Sequence, residues 1–130
     1  MSTNSLDPVS RQRMSALRGA TTVEVDDAAA IIEAASELLR AMLERNEVAD
    51  VDVVSLIFTA TPDLIAEFPA AAARVVGIPH VPRLCASEIP VPGALARCVR
   101  VLMHVYTARA ASSLRHVYLR GAQSLQDDWP

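Results

Sequence analysis

Arg100 stands in the run Cys98-Val-Arg-Val-Leu-Met-His-Val-Tyr106, surrounded by apolar side chains. A guanidinium there must reach water or meet an anion, because an unpaired buried charge is costly. Glu88 is the candidate partner, and the pair reads either as a structural ion link or as part of a ligand site. Arg18 sits beside Gly19, whose missing side chain would let a small anion approach the backbone. Cys85 is either a nucleophile or a small buried hydrophobe, and no Cys-His-Asn arrangement can be read from its position. His80, His104 and His116 show neither HExxH nor another close ligand spacing, which argues against a metal site. Tyr118 and Phe68 read as core rings as readily as ligand contacts.

These side chains must be positioned by one core, since 130 residues is the length of a single domain. Apolar residues make up 52% and charged residues 21%, enough burial to offset backbone entropy. Twelve basic residues against fifteen acidic ones leave a net charge of -3, so no global positive field exists to hold nucleic acid or an anionic membrane. Every basic residue is Arg, so a carboxylate-binding site here has to use the planar, permanently charged fork. Cys85 and Cys98 form no CxxC and fit free thiols in a reducing cytoplasm. Charged residues interrupt every apolar run before it reaches the roughly 18 residues of a membrane span.

Residues 1–14 are polar and read as a disordered extension, residues 15–120 as the domain, and residues 121–130 as a polar tail without period. Within the domain, Ser15–Glu24 predicts a strand in which Gly19 marks a bulge or close approach. Apolar residues at helical spacing predict a helix from Asp27 to about Asn46, capped by Asp26 or Asp27. Asp52–Thr59 predicts a central strand, followed by a turn at Ala60–Asp63. A short helix over Pro69–Val76 stops at Gly77. His80–Ala86 is extended, and the prolines at 79, 82, 90 and 92 confine that region to edge strand or ordered loop. Alternation of Val99, Val101, Met103 and Val105 makes Arg97–Thr107 a strand, with Cys98, Arg100, Leu102 and His104 on its other face. Arg115–Leu119 supplies a last short strand. The order β-α-β-α-β-β-β implies an α+β domain with helices on one face of a mixed sheet.

Six blocks occur together in one order: Leu17-Arg-Gly-Ala-Thr-Thr-Val23, Thr59-Ala-Thr-Pro-Asp-Leu64, Phe68-Pro-Ala-x-Ala-x-Arg74, Val81-Pro-x-x-Cys-x-x-Glu88, Arg97-Cys-Val-Arg-Val101 and Arg115-His-Val-Tyr-Leu119. Over roughly Leu17 to Leu125 the chain resembles the chorismate mutases of the AroH, Bacillus-type class. Six collinear blocks are far more specific than a lone short pattern.

The resemblance implies a homotrimer with a barrel-like core of packed sheets and clefts between subunits. It implies isomerisation of chorismate to prephenate by a concerted [3,3] shift, without cofactor, metal or covalent intermediate. Under it, Arg100 matches the cation at the breaking ether oxygen, and Arg18 matches the residue that binds a substrate carboxylate. Tyr118 matches a hydroxyl donor to the same group. Glu88 matches the carboxylate that accepts from the ring hydroxyl and orients Arg100, with Cys85 near that hydroxyl. Phe68 and Arg74 match positions lent by the facing subunit, and Leu125 matches a tail residue closing over the site.

The rim departs from that pattern. Relatives often carry Arg after the tail Leu, whereas Gln126, Asp127 and Asp128 follow here. Ala71 stands where some relatives have Lys, and Ser87, Pro90 and Pro92 replace more usual residues around Glu88. These changes leave two other readings open: a mutase acting on another chorismate-like diacid, or a catalytically poor binding or regulatory trimer.

Overall fold

The structure, a computed structural model, describes residues 12–128. Residues 1–11 of the expected extension lie outside the described residues, while Arg13 and Met14 already belong to the first strand.

Strand β1 runs Arg13–Thr22, two residues earlier than its composition suggests. The partner strand decides this: β4, Cys98–Thr107, pairs antiparallel with all of β1, from Arg13↔Thr107 to Thr22↔Cys98. Helix α1, Ala28–Arg45, follows. Asp27 caps it by accepting from the Ala30 N–H at 3.1 Å, satisfying one of the orphan donors of the first turn. Asp26 has a different task, accepting from Ile65 N and Ala66 N at 3.0 Å each, and so pins a distant loop.

Strand β2, Val53–Ala60, a 3-10 turn at Pro69–Ala71, helix α2, Ala72–Val75, and strand β3, Arg83–Ser87, form a parallel crossover. Gly77 follows α2 with φ +89°, a stop that a side chain would oppose. Strand β5 is only Val117–Tyr118 and pairs parallel with β1. The sheet order is β3-β2-β4-β1-β5, with both pairing senses present. The expected α+β class and mixed sheet stand, with one correction: β2 is interior, but the middle strand is β4. An antiparallel centre needs only one buried face, so β4 can hold that place while carrying Arg100 and His104 on the other.

Alternation splits the sheet. Leu17, Phe58, Val101, Met103 and Val105 join Leu38, Leu39 and Met42 of α1 and Ala72 and Ala73 of α2 in one buried core, so both helices lie on this face. Gly19 belongs to it too: a Cβ there would come within 2.5 Å of Met42 Sδ and 3.1 Å of Leu38 Cδ1. The expected bulge or anion approach at Gly19 is therefore corrected. Its ladder with Val101 is regular, and the space of the missing side chain is taken by the helix.

The tail corrects another expectation. Arg120–Asp128 is 3-10 helical rather than irregular. Leu119 packs against the main core, while Ala122 and Leu125 join Ala20 and Tyr118. A spacing of three matches the 3-10 repeat and fits neither the 3.6-residue period of an α-helix nor the two-residue period of a strand. The tail is also tied to β1 by Gly121 N, which donates to Thr22 Oγ1 at 3.0 Å.

Gly19→Ala is expected to destabilise the fold by about 1–3 kcal/mol, because Met42 must leave a packed rotamer. Urea unfolding read by circular dichroism measures the change.

Candidate active site

The face of the sheet away from the helices carries Arg18 and Ala20 from β1, Arg100 and Leu102 from β4, and Ile57 and Thr59 from β2. Together with Tyr118 they line a cavity of about 440 Å³. Register makes this grouping: Ala20, Arg100 and Thr59 are direct neighbours across three adjacent strands, and Tyr118 pairs beside Ala20.

Glu88 lies just beyond β3, where its N–H donates to Ala60 O at 2.9 Å and continues the parallel ladder. Its carboxylate accepts from Thr59 Oγ1 at 2.6 Å and stands 3.0 Å from Arg100 Nε. Although this contact has salt-bridge distance, the Nε–H is not aligned for a hydrogen bond. The link is thus chiefly a charge contact, made through Nε rather than through the terminal nitrogens of the fork. The Arg100 side chain remains 37% exposed, so an incoming anion can reach it.

The base of β4 is fixed on both sides. Thr61 N donates to Cys98 O at 3.0 Å, and Cys98 N returns a bond to Thr61 Oγ1 at 2.9 Å. Asp63 accepts from Thr61 Oγ1 and from Arg97 N, and these bonds hold its carboxyl below the usual range. Burial pushes the Cys98 thiol up to about 11, with the nearby Arg100 charge partly opposing the rise. Cys98 is therefore neutral near pH 7 and places no negative charge beside the Arg100 guanidinium.

Tyr118 is 8% exposed, and its hydroxyl is buried without a hydrogen-bond partner among the described residues. A buried hydroxyl in this condition costs stability unless a ligand completes it. Leu125 is half-buried beside the same ring.

The remaining expected residues are elsewhere in this chain. Cys85 shares a face with Phe58 and lines, with Phe68, Ser87 and Ala60, a second depression of about 460 Å³. The residue is exposed overall, yet its thiol is pushed up by partial burial, partly opposed by the Ala70 backbone and Arg83. It is not an activated nucleophile. Arg74 is exposed on α2 and lines neither depression. Among the described residues no group of three or more His, Cys, Asp or Glu is placed to hold a metal, and no helix is long and apolar enough to cross a membrane. Thr59 is the residue whose role the sequence left unread. Its signal is register, because only pairing with Arg100 brings it to Glu88.

The chorismate mutase type I family model matches residues 14–129. The chain is 48% identical to chorismate mutase AroH of Thermus thermophilus over 113 residues, covering 86% of this chain and 93% of that protein. It is 42% identical to chorismate mutase AroH of Bacillus subtilis strain 168, covering 86% of this chain and 89% of the other. A solved chorismate mutase from Clostridium thermocellum superposes with TM-score 0.84 at 46% identity, over 85% of this chain and 99% of that one.

Thr59→Val keeps the shape but removes the donor that steers Glu88. It is expected to lower kcat/KM for chorismate by about tenfold, the scale of one hydrogen bond to a charged group, with little change in melting temperature. Steady-state kinetics beside a thermal melt checks both.

Proposed function

The chain belongs to the chorismate mutase type I family, and we propose that the cavity holding Arg18, Arg100 and Tyr118 is the centre at which it converts chorismate to prephenate. It is an isomerase of aromatic biosynthesis. The observation that carries the assignment of the site is the convergence of two guanidinium groups and a buried hydroxyl, unpartnered among the described residues, on one open sheet face, with Glu88 set against Arg100.

The rearrangement breaks a C–O bond as a C–C bond forms, within one substrate. It needs a compact substrate conformer and stabilisation of the negative charge that grows on the ether oxygen. Arg18 and the Tyr118 hydroxyl supply donors for one carboxylate, which meets the orientation requirement. Arg100 faces the ether oxygen, where its charge acts more strongly on the transition state than on the substrate. Glu88 accepts from the ring hydroxyl and, held by Thr59, limits the swing of Arg100. No proton transfer or covalent intermediate is needed in this scheme.

The protein acts as a homotrimer in which Phe68 and Arg74 of one subunit, with Cys85 near the seam, close the cavity of the next. Phe68 is 70%, Leu84 69% and Ile89 82% exposed around the outer edge of β3, which no other strand covers among the described residues. Apolar groups clustered at an open strand edge support burial against another chain. Leu125 closes the cavity from the tail. Gln126 brings no charge to its mouth, so substrate capture is weakened more than the chemical step. Two free thiols suit a reducing cytoplasm.

Arg100→Lys keeps the charge but loses the fork. The expected fall in kcat/KM is at least about a hundredfold, the range for removing one preorganised electrostatic donor. Following chorismate loss and prephenate appearance checks it, and a value within a few-fold of wild type would count against the role given to Arg100. Size-exclusion chromatography with light scattering is expected to give three times the chain mass. Arg74→Ala should preserve that size while raising KM.

A further inference from the structure

One titratable side chain outside this set touches its backbone directly. Strands β1 and β5 pair at only two positions, Gly19↔Val117 and Ala20↔Tyr118. One step upstream, the next rung would set Arg18 against His116. That rung is made by a side chain: the Arg18 N–H donates to His116 Nδ1 at 2.9 Å. A nitrogen that accepts carries no proton, so the imidazole is neutral there, with its proton on Nε2. Burial, and then the positive charge of Arg18, push the His116 pKa below its ordinary value.

The chain enters this position under a second constraint. Asn46, fully buried at the end of α1, donates from Nδ2 to Arg115 O at 2.9 Å and accepts from Arg115 N at 2.7 Å. The backbone just before His116 is therefore clamped to the helix, and the ring is presented to β1 from a fixed base. Two residues on, Tyr118 pairs with Ala20 and faces the same cavity as Arg18.

We infer that His116 is a positioning residue for the reaction: its neutral imidazole replaces the missing rung of a two-residue parallel pair and so sets the separation between Arg18 and Tyr118. This rests on the reading that those two groups grip one substrate carboxylate. His116 is not among the residues that line the cavity, so it acts through Arg18 and Tyr118. Its removal takes away the bond from the Arg18 N–H and lets the end of β5 drift from β1, which loosens the carboxylate grip in ground state and transition state alike. Such a loss of uniform binding appears in KM and leaves kcat nearly constant.

The test is chorismate kinetics on His116→Leu, His116→Asn and His116→Gln, with melting temperatures, alongside Arg18→Ala and the double variant Arg18→Ala/His116→Leu. Asn can set an acceptor oxygen where Nδ1 stands, whereas Gln reaches toward the place of Nε2. Leu and Gln are expected to raise KM about tenfold, a lost hydrogen bond's worth, with kcat within about twofold. Asn should restore most of the KM. In the Arg18→Ala background the Leu change should add little to KM, because the guanidinium whose distance from Tyr118 the imidazole sets is already gone. Equal KM in wild type and Leu, a loss confined to kcat, or Asn no better than Gln would overturn the inference. If Leu fails to fold, the Asn–Gln difference decides alone. An Arg18→Ala variant with unchanged KM would instead overturn the carboxylate reading itself, which separates the two failures.

Discussion

A guanidinium is useful at a developing negative charge only if it is already in place when the charge appears, and under the proposed function this is the constraint that the open face of the sheet meets. Arg100 is carried on the middle strand, flanked by Ala20 on one side and Thr59 on the other. Glu88 stands against it, and Thr59 in turn holds Glu88. Arg100 comes from β4, Thr59 from β2 and Glu88 from the residue just past β3, so the orientation of one side chain is shared among three pieces of backbone. A cation on a loop would have to be ordered during the reaction, at a cost in side-chain entropy.

That arrangement depends on the sheet having two unlike faces. The helix face is filled by Leu17, Phe58, Met103, Leu38 and Met42, with Gly19 giving α1 room to approach. Close packing there fixes the strands, and the register fixes which side chains meet on the other side. A slip of one residue would exchange Val101 with Arg100, exposing the core and burying the charge, so packing energy and site geometry enforce the same register.

The open face is correspondingly incomplete. Tyr118 holds a buried hydroxyl without a partner among the described residues, and the neighbouring β3 edge leaves Phe68, Leu84 and Ile89 in water. Both are unfavourable for an isolated chain, and the proposed assembly and substrate resolve them together. Asn46 and His116 show how long-range polar contacts serve this end: one ties β5 to the helix, the other ties it to β1.

The amino-acid order alone determined the element sequence, the two faces of Cys98–Thr107 and the family resemblance, because side-chain alternation and short blocks are local properties. It named Arg18, Arg100, Glu88 and Tyr118 for the same reason. Tertiary structure alone decided that Thr59 holds Glu88, that Asp26 pins the loop at Ile65 and that His116 pairs with β1. It also decided that Gly19 serves helix packing and that the tail winds with a period of three. These contacts join residues from 29 to 98 positions apart in the cases of Thr59 and His116. Cross-strand register and helix placement create them, and no local pattern encodes either.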